Sequence, residues 1–452
     1  MENISVIILS AGKGTRMKSS LPKVMHKIAG REMLNMVIDV AKKIQPKNIT
    51  IVISQELSNY QSQITLSHDN FPLDFVIQHE QKGTGHAVSC SIDFFKNTNK
   101  FSDKILILYG DTPLICENTL NQMLKKLNEF SLCVLGFENH QINTYGRLIV
   151  DSKNHLEKII EVKEANEKQK QISLCNSGVM AVDGKILYDL LTKLNNNNAT
   201  QEFYLTDIVE IANKQGYKAT FISANPEEVL GVNSRVELAN LEKICQKNIR
   251  QKMMENGVTL LSPKTVYFNY DTVIGNDTTI HPNVVFGKEV IIDSNVEIKS
   301  FSHLEGVHIK ANSKIGPFAR IRPQTIINEG VNIGNFVEIK KSKIGKNSKI
   351  NHLSYIGDSS VGESTNIGAG TITCNYDGFN KFQTEIGDNV FIGSNTAIVA
   401  PLKIGNGAII GAGSTITKNV GENDLAISRI KQENLTNKAI NFRKSKTQKK
   451  DA

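Results

Sequence analysis

The 452-residue sequence predicts an α/β Rossmann-like domain, a linker helix and then a left-handed parallel β-helix built on a hexapeptide repeat. Three observations predict it. Short apolar strands alternate with helical stretches through the first half. A single helical pattern fills 234–256. From about residue 260, aliphatic residues recur every six positions. The expected domains are 1–233, the linker 234–256, the solenoid 257–433, and a basic tail without structure at 434–452.

In the first domain, the apolar runs 6–9, 49–54 and 105–108 read as short buried strands. The stretches 33–43 and 118–127 read as helices. This alternation predicts a parallel sheet covered by helices on both faces. The linker helix opens on a capping box of Ser234 and Glu237, and Gly257 suits its C-terminal end. Leu238, Leu241, Cys245, Ile249 and Met253 give it an apolar stripe.

The repeat runs Ile274, Ile280, Phe286, Ile292, Ile298, Leu304. After a five-residue step it continues from Ile309 to Ile339, slips again to Ile344, Ile350 and Ile356, and resumes from Ile386 to Ile416. A period of six fits neither a helix nor simple strand alternation. It fits a solenoid with short flat faces, aliphatic side chains inward and glycine at the turns. Three hexads make a coil, so roughly eight coils follow. The segment 373–385 breaks the period and reads as an insertion leaving one face.

Composition excludes several classes. Hydrophobic residues at 40% and charged residues at 22% suit a globular protein and exclude a wholly disordered or collagen-like chain. No apolar run nears the roughly 18 residues of a membrane span, so no membrane insertion is expected. Half of the net charge of +8 sits in 442–452, so the charge demands no nucleic-acid stripe and no nucleic-acid partner is expected. The six cysteines form no CxxC pair and the start reads as a strand rather than a signal peptide, so free thiols and a cytoplasmic location are expected.

The chemistry starts at Ser10-Ala11-Gly12-Lys13-Gly14-Thr15-Arg16-Met17, directly after the first strand. A glycine-rich turn there lets backbone N–H groups close on phosphate oxygens. It is neither GxGxxG, whose third glycine would fall at Met17, nor a Walker A loop. Pro22 stiffens the following loop, and Lys23 can hold a point charge over a transferring phosphoryl group.

The run LSAGKGTRM with LPKV resembles the signature of sugar-1-phosphate nucleotidyltransferases. Gln78 with Gly83-Thr84-Gly85-His86-Ala87, Tyr109-Gly110-Asp111, Tyr145-Gly146-Arg147, Glu161, Asn176-Ser177-Gly178 and Gly231-Val232-Asn233 follow in that family's order. With the long hexapeptide region, residues 4–433 resemble the bacterial bifunctional family that joins an N-acetylglucosamine-1-phosphate uridylyltransferase to a glucosamine-1-phosphate N-acetyltransferase. The resemblance implies that Lys23 and Arg16 neutralise the meeting anions and that Asp111 and Asn233 hold Mg²⁺. It places Leu9, Ser10, Ala11, Gly12, Gln78, Gly83 and Thr84 on the UTP side, with Tyr109 and Gly110. Gly146, Glu161, Asn176 and Asn233 would hold the N-acetylglucosamine-1-phosphate. His86 alone reads as a residue packing the start of its helix.

In the second half, His352 follows Arg320, Arg322, Lys340 and Lys341, and Arg322 and Lys340 are 18 apart, one coil. The resemblance makes His352 the general base that frees the glucosamine amine to attack acetyl-CoA. It gives Arg322, Lys340, Tyr355 and Asn366 to the sugar phosphate, and Ala369, Asn375, Tyr376, Ser394, Ala412 and Arg429 to acetyl-CoA. It also implies a homotrimer with this site between subunits. Two departures stand out: Ser10 where the family usually has Ala, and Gln324 where it has Gly. Among His281, His303 and His308, the pair His303 and His308 stands five apart without a third clear partner, so no histidine metal site is expected there.

The expected function is synthesis of UDP-N-acetylglucosamine in two steps, acetylation of glucosamine-1-phosphate and then uridylyl transfer from UTP with release of pyrophosphate. It would feed peptidoglycan and lipopolysaccharide precursors. The alternative is a nucleotidyltransferase whose hexapeptide domain only assembles it. A non-enzymatic scaffold would predict broken charges at Lys23, Asp111 or Asn233, and all three are intact.

Overall fold

A computed structural model describes residues 3–447 except 70, 99, 101, 141 and 142. The chain divides into two compact units, with the boundary between Asn248 and Ile249.

The first unit is built on β1 (Ile4–Ser10), β2 (Asn48–Ile53), β3 (Leu73–Ile77), β4 (Lys104–Tyr109), β5 (Leu132–Glu138), β6 (Arg147–Val150), β7 (Leu156–Ile160), β8 (Leu174–Asp183) and β9 (Ala219–Ala224). Among the described residues these pair in the order β9-β5-β8-β4-β1-β2-β3, with β6 and β7 branching from β8. The helices are α1 (Met33–Lys43), α2 (Thr84–Thr98), α3 (Glu117–Lys126), α4 (Gly184–Thr192) and α5 (Ile208–Lys214). Residues of β1 alternate between two cores. Val6 and Ile8 pack with Leu34 and Ile38 of α1 and Leu120 of α3. Ile7 and Leu9 pack with Val88 and Ile92 of α2 and Leu187 of α4. Burial on both faces is why these strands read as unbroken apolar runs.

The sheet is mixed rather than wholly parallel. β8 runs antiparallel to both β4 and β5, entering after the β6–β7 hairpin. Its register shifts between Asn176 and Met180. A strand buried on both faces has the same composition whichever way it runs, so the alternation pattern misses this reversal.

Helix α6 (Arg235–Glu255) spans the boundary between the units. The Glu237 N–H donates to Ser234 Oγ at 3.2 Å and the Ser234 N–H donates to Glu237 Oε2 at 3.1 Å, a reciprocal capping box. Gly257, at φ +86°, ends it in the left-handed conformation.

The second unit is a parallel β-helix. Three parallel sheets of ten, eight and eight strands among the described residues form its faces. Ile274, Ile292, Ile309, Ile327 and Ile344 stack along one face, Ile280, Ile298, Ile315, Ile333 and Ile350 along the second, and Phe286, Leu304, Ile321, Ile339 and Ile356 along the third. All belong to one buried core. Where the chain bulges outward, Thr373 takes the inward place, and its hydroxyl accepts the Gly357 N–H at 2.8 Å. Thr373 and Glu385 lie in strands (Ile372–Cys374 and Thr384–Ile386), so the loop that leaves the face is 375–383, shorter than the sequence suggests.

The tail expected to lack structure carries helix α7 (Lys438–Thr447), and 431–446 are exposed throughout. The rest of the expected tail, 448–452, lies outside the described residues.

Candidate functional site

The glycine-rich turn after β1 brings two loops together. Gly14 sits at φ +59°, and a Cβ there would stand 2.7 Å from the Lys23 Cβ. Pro22, at φ −53°, leads into a short turn, Lys23–Met25. The Lys23 ammonium makes an ion pair with the Asp111 carboxylate and donates to Asn233 Oδ1 at 3.1 Å. Asp111 comes from the end of β4, and Asn233 is held at the N-terminus of α6, where its N–H donates to Glu237 Oε2 at 2.6 Å. Two oxygen donors from distant parts of the chain therefore converge on one cation.

A cavity of about 470 Å³ opens beside this contact. The predicted residues Leu9 to Gly12, Lys23, Gln78, Gly83, Thr84, Tyr109 and Asp111 line it together. Gly83, at φ +104°, lies against the Phe203 backbone, where a Cβ would meet the carbonyl oxygen at 2.7 Å. Gly110, also expected here, does not line the cavity; a Cβ added to it would run into the Ser10 Oγ. Sequence reasoning missed Lys13, Gln81 and Glu202, which also line the cavity. Lys13 stands inside the glycine-rich motif, so a signal for it was present. Gln81 Nε2 donates to the Ala11 carbonyl at 2.6 Å, a contact between loops that no motif spacing reveals.

Arg16 does not line that cavity. It lines a neighbouring one of about 450 Å³ with Asn143, Tyr145 and Asn233. The expected sugar-phosphate residues cluster nearby. The Asn176 N–H donates to the Gly146 carbonyl at 2.8 Å, and the Thr206 hydroxyl donates to Glu161 Oε1 at 3.2 Å. A Cβ at Gly146 would lie 3.5 Å from Glu161 Oε2. Burial raises the Glu161 carboxyl above its ordinary range. Burial, with Glu161 and Asp111 nearby, likewise keeps the Tyr109 hydroxyl protonated. The Tyr109 ring packs on Gly178, whose φ of +92° and missing Cβ make the room.

In the solenoid, His352 and the expected acetyl-donor residues Ala369, Ser394, Ala412 and Arg429 fall on one corner. Ile350, Ile367, Ile392 and Ile410 are aligned across successive coils. Two residues past each of them come His352, Ala369, Ser394 and Ala412, which therefore stack in a column. Arg429 reaches back to the same column, its Nη1 donating to the Ala412 carbonyl at 2.6 Å. One coil below His352 is Asn335, whose Oδ1 lies 2.9 Å from His352 Nδ1. Asn335 is a partner that the sequence reading missed. Its signal is the 17-residue rung that the five-residue slip produces.

Arg322, Lys340 and Tyr355 lie on the adjoining face, while Asn366 stands at the level of Lys349, on the face that ends in His352. Arg322 pairs with Glu338 at 2.8 Å. Lys340 lies 4.0 Å from Asp358, and Asn375 Nδ2 donates to the same carboxylate at 2.5 Å. Lys381, on the outgoing loop, stands beside Lys340 and pulls its pKa below the ordinary lysine value. Crowded cations of this kind favour an anion between them. Tyr376 is exposed on the same loop, its hydroxyl donating to the Gly378 carbonyl at 2.5 Å.

Comparison with known proteins agrees with both halves. The MobA-like NTP transferase domain model matches residues 6–175. The bacterial transferase hexapeptide model (six repeats) matches 271–306 and 383–418, and the GMPPB C-terminal domain model matches 303–376. The bifunctional protein GlmU of Zymomonas mobilis subsp. mobilis is 48% identical over 98% of each chain. The GlmU of Paramagnetospirillum magneticum is 46% identical over 99% of this chain and 98% of its own. The chain belongs to the GlmU family. The GlmU of Agrobacterium fabrum, at 41% identity, extends over 100% of this chain and 99% of its own.

The enzyme is accordingly bifunctional, a uridylyltransferase and an acetyltransferase of UDP-N-acetylglucosamine synthesis that serves peptidoglycan formation. It works on small molecules, a nucleotide and acetyl-CoA among them, with a divalent metal. No described helix is long and apolar enough to cross a membrane.

Proposed function

We propose that the cavity beside Lys23, Asp111 and Asn233 performs uridylyl transfer and that the corner at His352 performs acetyl transfer. The observation that carries the first assignment is the convergence of a carboxylate and an amide oxygen on the Lys23 ammonium at the cavity wall. Hard oxygen donors of this kind suit Mg²⁺, which takes one or two protein ligands and completes its shell with phosphate oxygens and water. When bound, the ion would neutralise the triphosphate. Lys23 and Arg16 add fixed positive charge as a sugar-phosphate oxygen attacks the α-phosphorus of UTP and the bond to the β-phosphate oxygen breaks. Pyrophosphate leaves. Glu161 and Asn176 orient the sugar.

At the corner, Asn335 Oδ1 accepts a hydrogen bond from His352 Nδ1, which leaves the Nε2 lone pair free. That nitrogen takes a proton from the glucosamine amine as the amine attacks the thioester carbonyl. The C–S bond breaks and the CoA thiolate leaves. Arg322, Lys340, Tyr355 and Asn366 hold the sugar phosphate. Ala369, Asn375, Tyr376, Ser394, Ala412 and Arg429 line the path of the acetyl donor.

The assembly we infer is a homotrimer in the cytoplasm. Phe301, Phe318 and Phe336 stack at 4.9 and 5.2 Å at the corner that leads to His352, and each is exposed in the single chain. An apolar ladder of this kind is normally covered, which supports burial against further copies. Light scattering should then give the mass of three chains, and the mass of one chain would refute the trimer.

The functional assignment is tested by following pyrophosphate and thiol release on purified protein with EDTA added. Chelation should abolish pyrophosphate release, Mg²⁺ should restore it, and thiol release should be untouched. Metal-independent pyrophosphate release would contradict the first assignment. Absence of thiol release would contradict the second.

A further inference from the structure

Asp358 is a buried carboxylate, 4% exposed, between the strands Tyr355–Gly357 and Ser359–Val361 of the solenoid. Its N–H donates to the Lys340 carbonyl at 3.0 Å one coil back, and its own carbonyl accepts the Thr384 N–H at 3.2 Å one coil on. Its carboxylate accepts from Asn375 Nδ2 at 2.5 Å. Asn375 opens the outgoing loop 375–383 and Thr384 directly follows it, so one aspartate grips both ends of the loop. The Phe382 N–H closes the neck by donating to the Asn375 carbonyl at 2.9 Å. The Lys340 and Lys341 ammonium groups, 4.0 and 3.6 Å from the carboxylate, supply the counter-charge that a buried anion needs. The contact also fixes the Asn375 amide. A carboxylate only accepts, so the NH₂ group must face Asp358, whichever way the amide is drawn. No other group among the described residues bonds this amide, so its orientation rests on Asp358 and its Oδ1 is left without a partner. Gly357 gives the amide its room, since a Cβ there would stand 2.9 Å from Nδ2.

We propose that Asp358 is a positioning residue of acetyl transfer, which holds the Asn375 amide so that its carbonyl oxygen is free to accept an N–H from a substrate at the base of the loop. The inference rests on the acetyl-transfer reading of this part of the solenoid. Two sources of that N–H enter the reaction, the glucosamine amine and the amides in the arm of acetyl-CoA. Without the carboxylate nothing holds the amide in one sense, and the acceptor is lost to the substrate.

The test follows thiol release by the full-length chain, with kcat/KM read separately for glucosamine-1-phosphate and for acetyl-CoA. Asp358→Ala should lower at least one of the two roughly tenfold, the lower end of what a hydrogen bond to a charged group is worth, and the substrate affected names the donor. Asp358→Asn keeps an acceptor for Asn375 Nδ2 and should recover most of that loss, because the exposed Lys341 can turn away from the new amide. Asn375→Ala should give the same fall as Asp358→Ala. The double variant should be no slower than Asn375→Ala alone, since Asp358 acts through that amide. Thermal unfolding and pyrophosphate release check folding. Should Asp358→Ala not fold, Asn375→Asp breaks the contact by setting carboxylate against carboxylate and should show the same fall. Unchanged kcat/KM for both substrates in the variants that break the contact overturns the proposal while leaving the acetyl-transfer reading intact. So does a loss in Asp358→Asn equal to that in Asp358→Ala, and so do losses that multiply in the double variant. A wild-type enzyme without thiol release overturns both.

Discussion

Ser10 buries a hydroxyl whose Oγ has no hydrogen-bond partner among the described residues, packed against Gly110 just past β4. An unsatisfied buried hydroxyl costs about 1–3 kcal/mol. Ser10→Ala should therefore raise the melting temperature of the ligand-free enzyme by roughly 2–4 °C per kcal/mol recovered; a lower melting temperature would show that the hydroxyl is used. Gln324 is the second departure, and its φ is +64°. A side chain in that region costs about 1–2 kcal/mol, part of which glycine gives back through its freedom in the unfolded chain. Gln324→Gly should move the denaturant midpoint of the solenoid upward, and a downward shift would mean that the glutamine side chain is bound in place. Asp207 tests the electrostatics. Burial, with Glu210 and Glu164 nearby, raises its pKa from 3.8 to about 6. The folded state then holds the proton more tightly than the unfolded state, so this group's contribution to stability falls as pH rises from about 4 to 6. Asp207→Asn should stabilise the protein at pH 8 and leave it unchanged at pH 4. An equal gain at both values would contradict the argument. At this scale the sequence was most legible where a motif is contiguous, as at Leu9 to Gly12. It was least legible where partners meet across a fold, as for Asn335 with His352 or Gln81 with Ala11.

Elements differ in how plainly they announce themselves. The solenoid was legible nearly residue by residue, because an inward aliphatic at every sixth place is a direct imprint of coil geometry. Only the edges of the insertion misled, since Thr373 and Thr384 remain strand residues without being aliphatic. The antiparallel β8 was hidden for the opposite reason. Nothing in a run of buried apolar residues records direction, yet this reversal brings Asn176 beside Gly146. The turns between elements carry the tightest constraints. At Gly334, an added Cβ would lie 1.9 Å from the Asn351 carbonyl oxygen of the next coil. Gly334→Ala should therefore part the coils that carry Asn335 and His352, cutting thiol release at least tenfold while pyrophosphate release persists. Retained acetyl transfer would show that this corner is not where the reaction occurs.

For the whole molecule, each proposed site lies in its own unit, one on a mixed α/β sheet and one on a parallel β-helix. Family membership fixes that the chain carries both activities, and the proposed sites draw on separate groups. Asp111 and Asn233 meet Lys23 within the first unit, and His352 meets Asn335 within the second. The measurement that tests this most directly follows pyrophosphate and thiol release in parallel for the wild type, Asp111→Ala and His352→Ala. Asp111→Ala should lose pyrophosphate release alone, and His352→Ala should lose thiol release alone. If either substitution abolishes both, or if His352→Ala leaves thiol release intact, the assignment of the two sites is wrong.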